Sequence, residues 1–140
     1  MTSRLHRSWR DDDGRIALLV LIMAFGVLAM IGLAVDGGGK MRALQRADNI
    51  AAEAARAAGQ AIDLDQAAAG GEKVADPGRA VAAAQRYLRA AGVTGTVSLS
   101  GDRRQVNVTV TGTYDTAILG IVGIGRLTVT GHGTAQLLTG

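Results

Sequence analysis

The chain has 140 residues, of which 48% are hydrophobic and only 3% aromatic, and its formal net charge is +3. It contains no cysteine, which excludes disulfides, thiolate metal sites, a cysteine nucleophile and a lipid anchor on cysteine. The 15 Lys and Arg residues are scattered, with no dense basic block interleaved with aromatics, so no nucleic-acid partner is expected.

The first element is an N-terminal tail, 1–15, with Arg4, Arg7, Arg10 and Arg15 around the trio Asp11-Asp12-Asp13. The trio lacks the spaced oxygens and closing glutamate of a calcium loop and reads as a solvated turn. Residues 16–35 follow without a single charge. As a helix they span about 30 Å at 1.5 Å per residue, the thickness of a bilayer's hydrocarbon core. The spacing predicts a transmembrane helix. A signal-peptide apolar region runs only ~7–15 residues, so the length favours retention. Gly32-Leu33-Ala34 would nevertheless offer small residues at both positions of a cleavage site. Four arginines before the run face Lys40, Arg42 and Arg46 after it, a slight bias toward a cytoplasmic N-terminus and an extracytoplasmic remainder.

Asp36 ends the apolar run and Gly37-Gly38-Gly39 follow it. Three glycines cost a helix about 1 kcal/mol each, so a flexible break is expected at the membrane surface. The stretch "DGGGK" lacks the upstream glycine and the Ser/Thr of a phosphate loop. Residues 40–64 are rich in Ala, Leu, Gln, Glu and Arg and read as an amphipathic helix. Its narrow apolar stripe is Met41, Leu44, Ala47/Asp48, Ala51, Ala55, Ala58 and Ile62. Residues 65–76 read as a linker, with paired glycines and a Pro-Gly close behind.

The remainder, 77–140, reads as a small α+β domain. Asp76 is placed to cap a helix over 78–91, with Pro77 at its first position and Gly92 at its end. Val81, Ala84, Leu88 and Ala91 form its apolar face. Alternation then switches to period two. Val97 and Leu99 mark one strand; Gly101-Asp102-Arg103-Arg104 makes a turn; Val106, Val108 and Val110 mark a second strand. "AILGIVGIG" is an apolar connector with room for a short helical turn, and Leu127 and Val129 mark a third strand. The helix over 78–91 is expected to cover the apolar face of this sheet, giving two layers.

Chemistry is sparse. His6 and His132 fall on opposite sides of the predicted span, and His132 is expected on a solvent face. "GIVGIG" has its glycines in the wrong order for a dinucleotide loop. No nucleophile–base pair or carboxylate pair is recognisable, so neither an enzyme, a cofactor, a metal site nor a small-molecule substrate is expected. Only convergence of Asp102, Asp115 and His132 in one pocket would reopen the enzymatic case.

The residues of the N-terminal half form a further pattern. Gly14 precedes the apolar run, Asp36-Gly37 closes it, and "LQRADNIAAEAARAAG" supplies Leu44, Gln45, Ala47, Asp48, Ala51 and Ala52. This combination resembles the N-terminal region of TadE/TadG-like proteins of Flp (tight-adherence, Tad) pilus assembly, and the C-terminal part is similar to that of high-GC Gram-positive, actinobacterial relatives. The resemblance implies a single-pass, pseudopilin-like structural component of the cytoplasmic membrane, in contact with lipid and with other pilus-assembly subunits through its N-terminal helix. Pilin-type relatives are cleaved after a glycine, here Gly14, and carry a glutamate five residues into the mature chain. Leu19 stands in that place. The resemblance therefore favours the TadG-like branch, which keeps its anchor. The alternative is a secreted soluble module whose threonine-rich sheet face contacts glycan or wall polymer.

Overall fold

A computed structural model describes residues 9–61 and 76–137 of the chain. Residues 1–8 of the expected tail, His6 among them, the helix end at Leu64 and nearly all of the expected linker lie outside them; residues 9–15, where Asp11-Asp12-Asp13 were expected as a turn, are helical. Helix α1 (Trp9–Gly59) is followed by α2 (Pro77–Ala90), strands β1 (Thr94–Leu99) and β2 (Gln105–Asp115), a 3-10 turn (Leu119–Val122) and strand β3 (Arg126–Gln136). The sheet is antiparallel in the order β1-β2-β3. The fold is α+β, as the alternation of periods predicts.

α1 is a single helix of 51 residues, roughly 77 Å long at the standard rise. The expected break at Gly37-Gly38-Gly39 is not there; the helix runs through all three glycines. Tertiary packing supplies the reason for one of them. A Cβ on Gly39 would collide with the ring and hydroxyl of Tyr114, whereas a Cβ on Gly37 would meet nothing within 4 Å. Gly37→Ala should therefore stabilise the chain by about 0.5–1 kcal/mol, the ordinary helix-interior gain. Gly39→Ala should lose that gain and more by displacing Tyr114. Parallel thermal melts of the two variants in one detergent would read the opposite signs.

Two neighbours pack against the C-terminal half of α1, which the expected single stripe did not allow for. Ala47, Ala51, Ala54, Ala55 and Ala58 are all buried between the sheet and α2. Met41, expected on the stripe, is 57% exposed. The division of labour over the sheet also differs from expectation. α1 covers β2 and β3, and α2 packs on α1 and on β1. The remaining core is Ala80, Ala84 and Leu88 from α2, Val106, Val108 and Val110 from β2, Val129, and Leu137.

α2 is closed at both ends as its sequence dictates. The Asp76 side chain accepts the Gly78 N–H at 2.8 Å, with Pro77 at the first helical position. At the other end Gly92 adopts φ +66°, the Gly92 N–H reaches the Arg89 carbonyl at 3.1 Å, and the Val93 N–H reaches the Leu88 carbonyl at 3.2 Å. That pair of bonds is a Schellman closure, which satisfies carbonyls the helix leaves open.

The β1–β2 turn is held by Asp102, whose carboxylate accepts from the Ser100 hydroxyl and from the Arg104 N–H. These donors keep the Asp102 carboxyl below its ordinary pKa. Arg103 in this turn has φ +57°, a conformation that costs a side-chain-bearing residue roughly 1–2 kcal/mol. Arg103→Gly should recover part of it, a net gain of about 0.5 kcal/mol after glycine's entropy cost, measurable by urea titration.

Candidate functional site

The sheet and helix meet along a line set by small residues. Gly131 and Gly133 of β3 are buried, and a Cβ on either would collide with helix backbone: Ala47 and Asp48 for Gly131, Ala51 and Ala52 for Gly133. Two strand residues advance about 6.6 Å and four helix residues advance about 6 Å, so the two repeats stay in step. Alternation turns His132, between the two glycines, to the opposite face. There it is exposed, with its Nδ1 3.4 Å from Thr109 Oγ1 of the paired strand.

β3 has no strand on its outer side, and an edge N–H there needs a partner. Asp48 provides one: its Oδ1 accepts the His132 N–H at 2.9 Å. A carboxylate on α1 thus holds the sheet edge at the point where the two glycines let the backbones approach.

Three turns earlier a second carboxylate does more. Asp36 has 0% of its surface exposed. Its Oδ1 accepts from the Ala117 N–H at 2.6 Å and from the Tyr114 hydroxyl at 3.2 Å. Its Oδ2 accepts from Leu119 N–H at 2.7 Å and Ile118 N–H at 3.0 Å. Three consecutive amides at the start of the 3-10 turn converge on one side chain, so the carboxylate caps that turn from another element of the fold. Burial pushes the Asp36 carboxyl up, but the three amides and Tyr114 together more than reverse this, leaving it below its ordinary value. Tyr114 is raised in turn by burial and by the adjacent Asp36.

One turn deeper, Ile118 occupies the surface of Gly32, its Cγ2 2.8 Å from where a Cβ would stand. Gly32, Asp36 and Gly39 lie on one helix face at spacings of four and three; the connector 116–125 docks on the first two through Ile118 and the turn amides, and Tyr114 at the end of β2 covers Gly39. Asp36 and Asp48 are 12 residues apart on α1, about 18 Å along its axis. Each fixes backbone N–H groups of the C-terminal part onto the N-terminal helix.

The sequence-derived residues divide by environment. Asp36, Ala47, Asp48 and Ala51 hold the sheet domain, and Leu44 packs against its core. Gly14, Gln45 and Ala52 face outward, and Gly37 meets no side chain. The three residues that would reopen an enzymatic reading do not meet. Asp102 lies in the turn before β2 and Asp115 at the far end of that strand, which is about 34 Å long at strand rise, and Asp115 pairs with Arg126 at 2.9 Å. Among the described residues no group of three or more His, Asp or Glu is arranged to hold a metal. The missed participants are Tyr114, the amides of 117–119, and Gly39, Gly131 and Gly133. Glycines at the inward positions that follow Leu127 and Val129 on β3 are the one sequence signal that pointed to the last two.

The apolar segment itself is bare. From Ile16 to Val35 its large side chains are about half exposed or more, and α1 is long and apolar enough to cross a membrane. Comparison with known families matches residues 14–61, roughly a third of the chain, to the model described as putative Flp pilus-assembly TadE/G-like. No curated protein and no solved structure matches. The matched segment contains both carboxylates and the apolar run. Residues 14–61 are thus similar to a TadE/G-like Flp pilus-assembly domain and contain one apolar helix, a combination that fits a membrane-anchored pilus component.

Proposed function

We propose that the protein is a non-enzymatic, pseudopilin-like structural subunit of a Tad-type pilus assembly apparatus. It is held by residues 16–35 in the cytoplasmic membrane, with its N-terminus inside and its α+β part outside. The single observation that carries this reading is the family match over 14–61 falling on a helix whose apolar half is unburied. The arginine bias before the run supports the orientation. Retention of the anchor is supported by the packing beyond it. Cleavage after Ala34 would remove Gly32 from beneath Ile118 and leave Asp36 next to a new terminus.

In this reading the family-type residues play two parts. Asp36, Ala47, Asp48 and Leu44 fix the protein's own domain to its helix, while Gly14 and Gln45, on outward faces, are left for neighbouring subunits. Gly14 stays uncut, because Leu19 supplies no carboxylate for a processed terminus. Membrane fractionation tests the whole reading. Intact protein that resists a carbonate wash, with the segment before Gly14 still attached, is the expected result. Recovery from the culture fluid of a species beginning near Val35 would overturn it in favour of a secreted soluble module.

A further inference from the structure

We propose that the connector 116–125 is a second membrane contact, an apolar wedge that enters the outer leaflet beside the spanning helix and seats the domain on the lipid surface. The inference rests on the anchor reading of residues 16–35 and extends it to a segment far away in sequence.

The observations concern depth, polarity and backbone. Tyr114 lies at the level of Gly39, the amides of 117–119 at Asp36, and Ile118 at Gly32. The connector thus descends α1 toward its N-terminus, and Ile118 reaches about 6 Å below Asp36 along the helix, inside the apolar run. Ile121, Val122 and Ile124 follow it and are 84%, 71% and 47% exposed. They are the large exposed apolar residues of the described sheet region, and they cluster at the end that adjoins the bare helix. Continuity with that helix identifies the occupant as lipid.

Lipid tolerates a non-helical backbone only where its polar groups are satisfied. Here at least seven of the connector's ten N–H groups are bonded within the protein. Asp36 takes the amides of 117, 118 and 119. The Ile121 N–H reaches the Ile118 carbonyl, Gly123 N–H the Gly120 carbonyl, Ile124 N–H the Leu119 carbonyl, and Thr116 N–H the Gly125 carbonyl. The Thr116 hydroxyl donates to the Ile124 carbonyl. Gly123, at φ +91°, makes the return that folds the connector on itself. The same bonds explain how an aspartate tolerates the hydrocarbon boundary: its four acceptor positions are filled by protein, not water. Above the wedge Lys40 and Arg42 are exposed at headgroup level, where an anionic lipid surface would meet them, while Arg126 is paired with Asp115.

The natural absence of cysteine makes the test clean. Single cysteines at Val122, at Met23 in the apolar run, and at Ser98 on β1 are labelled with an environment-sensitive fluorophore, all three sites being exposed in the structure. The full chain is reconstituted into phosphatidylethanolamine–phosphatidylglycerol vesicles, with and without lipids carrying a nitroxide near the headgroup end of the acyl chain. The expected result is a blue-shifted Val122 label, quenched by the nitroxide lipid and several-fold less accessible to iodide than the label at Ser98. A Val122 label as accessible to iodide as Ser98, with the Met23 label still protected, overturns the wedge and leaves the anchor standing. Iodide access at Met23 takes down the anchor reading and the wedge with it. Protection at Val122 without nitroxide quenching, lost on diluting protein in lipid, would assign the patch to a second copy and also overturn the proposal.

Discussion

Alanine at Gly131 or Gly133 is expected to cost about 3 kcal/mol, the upper end of ordinary overpacking. The reason lies in what the new methyl group would strike. At both positions the colliding atoms are helix backbone at Ala47–Asp48 and Ala51–Ala52, not the ends of flexible side chains. A rotamer change cannot relieve the contact; α1 must move off the sheet. Such a shift also lengthens the bond between Asp48 and the His132 N–H and opens the alanine-lined interface behind it. A domain of this size loses roughly 4–8 °C in Tm per kcal/mol, so each variant should melt about 12–24 °C lower in detergent. The double variant is expected to lose cooperative melting, since small domains have little stability in reserve. A melting temperature unchanged to within a few degrees would show that the helix does not rest on these glycines.

The second large effect is expected at Asp36. Asp36→Leu leaves the amides of 117, 118 and 119 and the Tyr114 hydroxyl without their acceptor. The connector should detach while the sheet and α2 remain folded, because their core of Val106, Val108, Val110, Leu88 and the alanines does not include it. Hydrogen exchange by mass spectrometry is the direct readout. Exchange across 117–119 should accelerate by roughly tenfold or more, with that of β2 at 106–110 little changed. Asp36→Asn keeps only one acceptor oxygen and should fall between the two.

The pH dependence of this latch has a definite sign. The folded Asp36 carboxyl lies below its ordinary value, so its contribution is fully present above the unfolded carboxyl pKa of ~3.9. It is lost as pH falls through the lower folded value. The wild-type connector should therefore stay closed throughout mildly acidic conditions and open only in stronger acid. The Asp36→Leu variant should exchange rapidly at every pH, after correction for intrinsic rates.

Several features could be read from the chain directly because their causes are local. An uncharged run of the right length predicts a spanning helix. Asp76-Pro77 and Gly92 bound α2, and period-two valines mark β2. The connector's helical turn appears where its composition allowed one. The candidate site was only half legible. Asp36 and Asp48 stood out through their family pattern, but sequence spacing carried no information on what they bind. Their partners lie 78 to 84 residues away. The glycine run misled for a related reason. Propensity prices Gly37, Gly38 and Gly39 as helix breakers, yet propensity is a weak term once tertiary contacts lock the same stretch on one face.

The amino-acid order by itself determined the types of element and the approximate bounds of α2 and the three strands, since propensity, capping and hydrophobic period act over a few residues. Only the tertiary structure decided that α1 is continuous, that it rather than α2 covers β2 and β3, and that Asp36 is turned inward to grip the connector. Those outcomes depend on close approach between backbones distant in sequence, at Gly32, Gly39, Gly131 and Gly133. A glycine's fitness for such an approach is invisible until the other surface is in place.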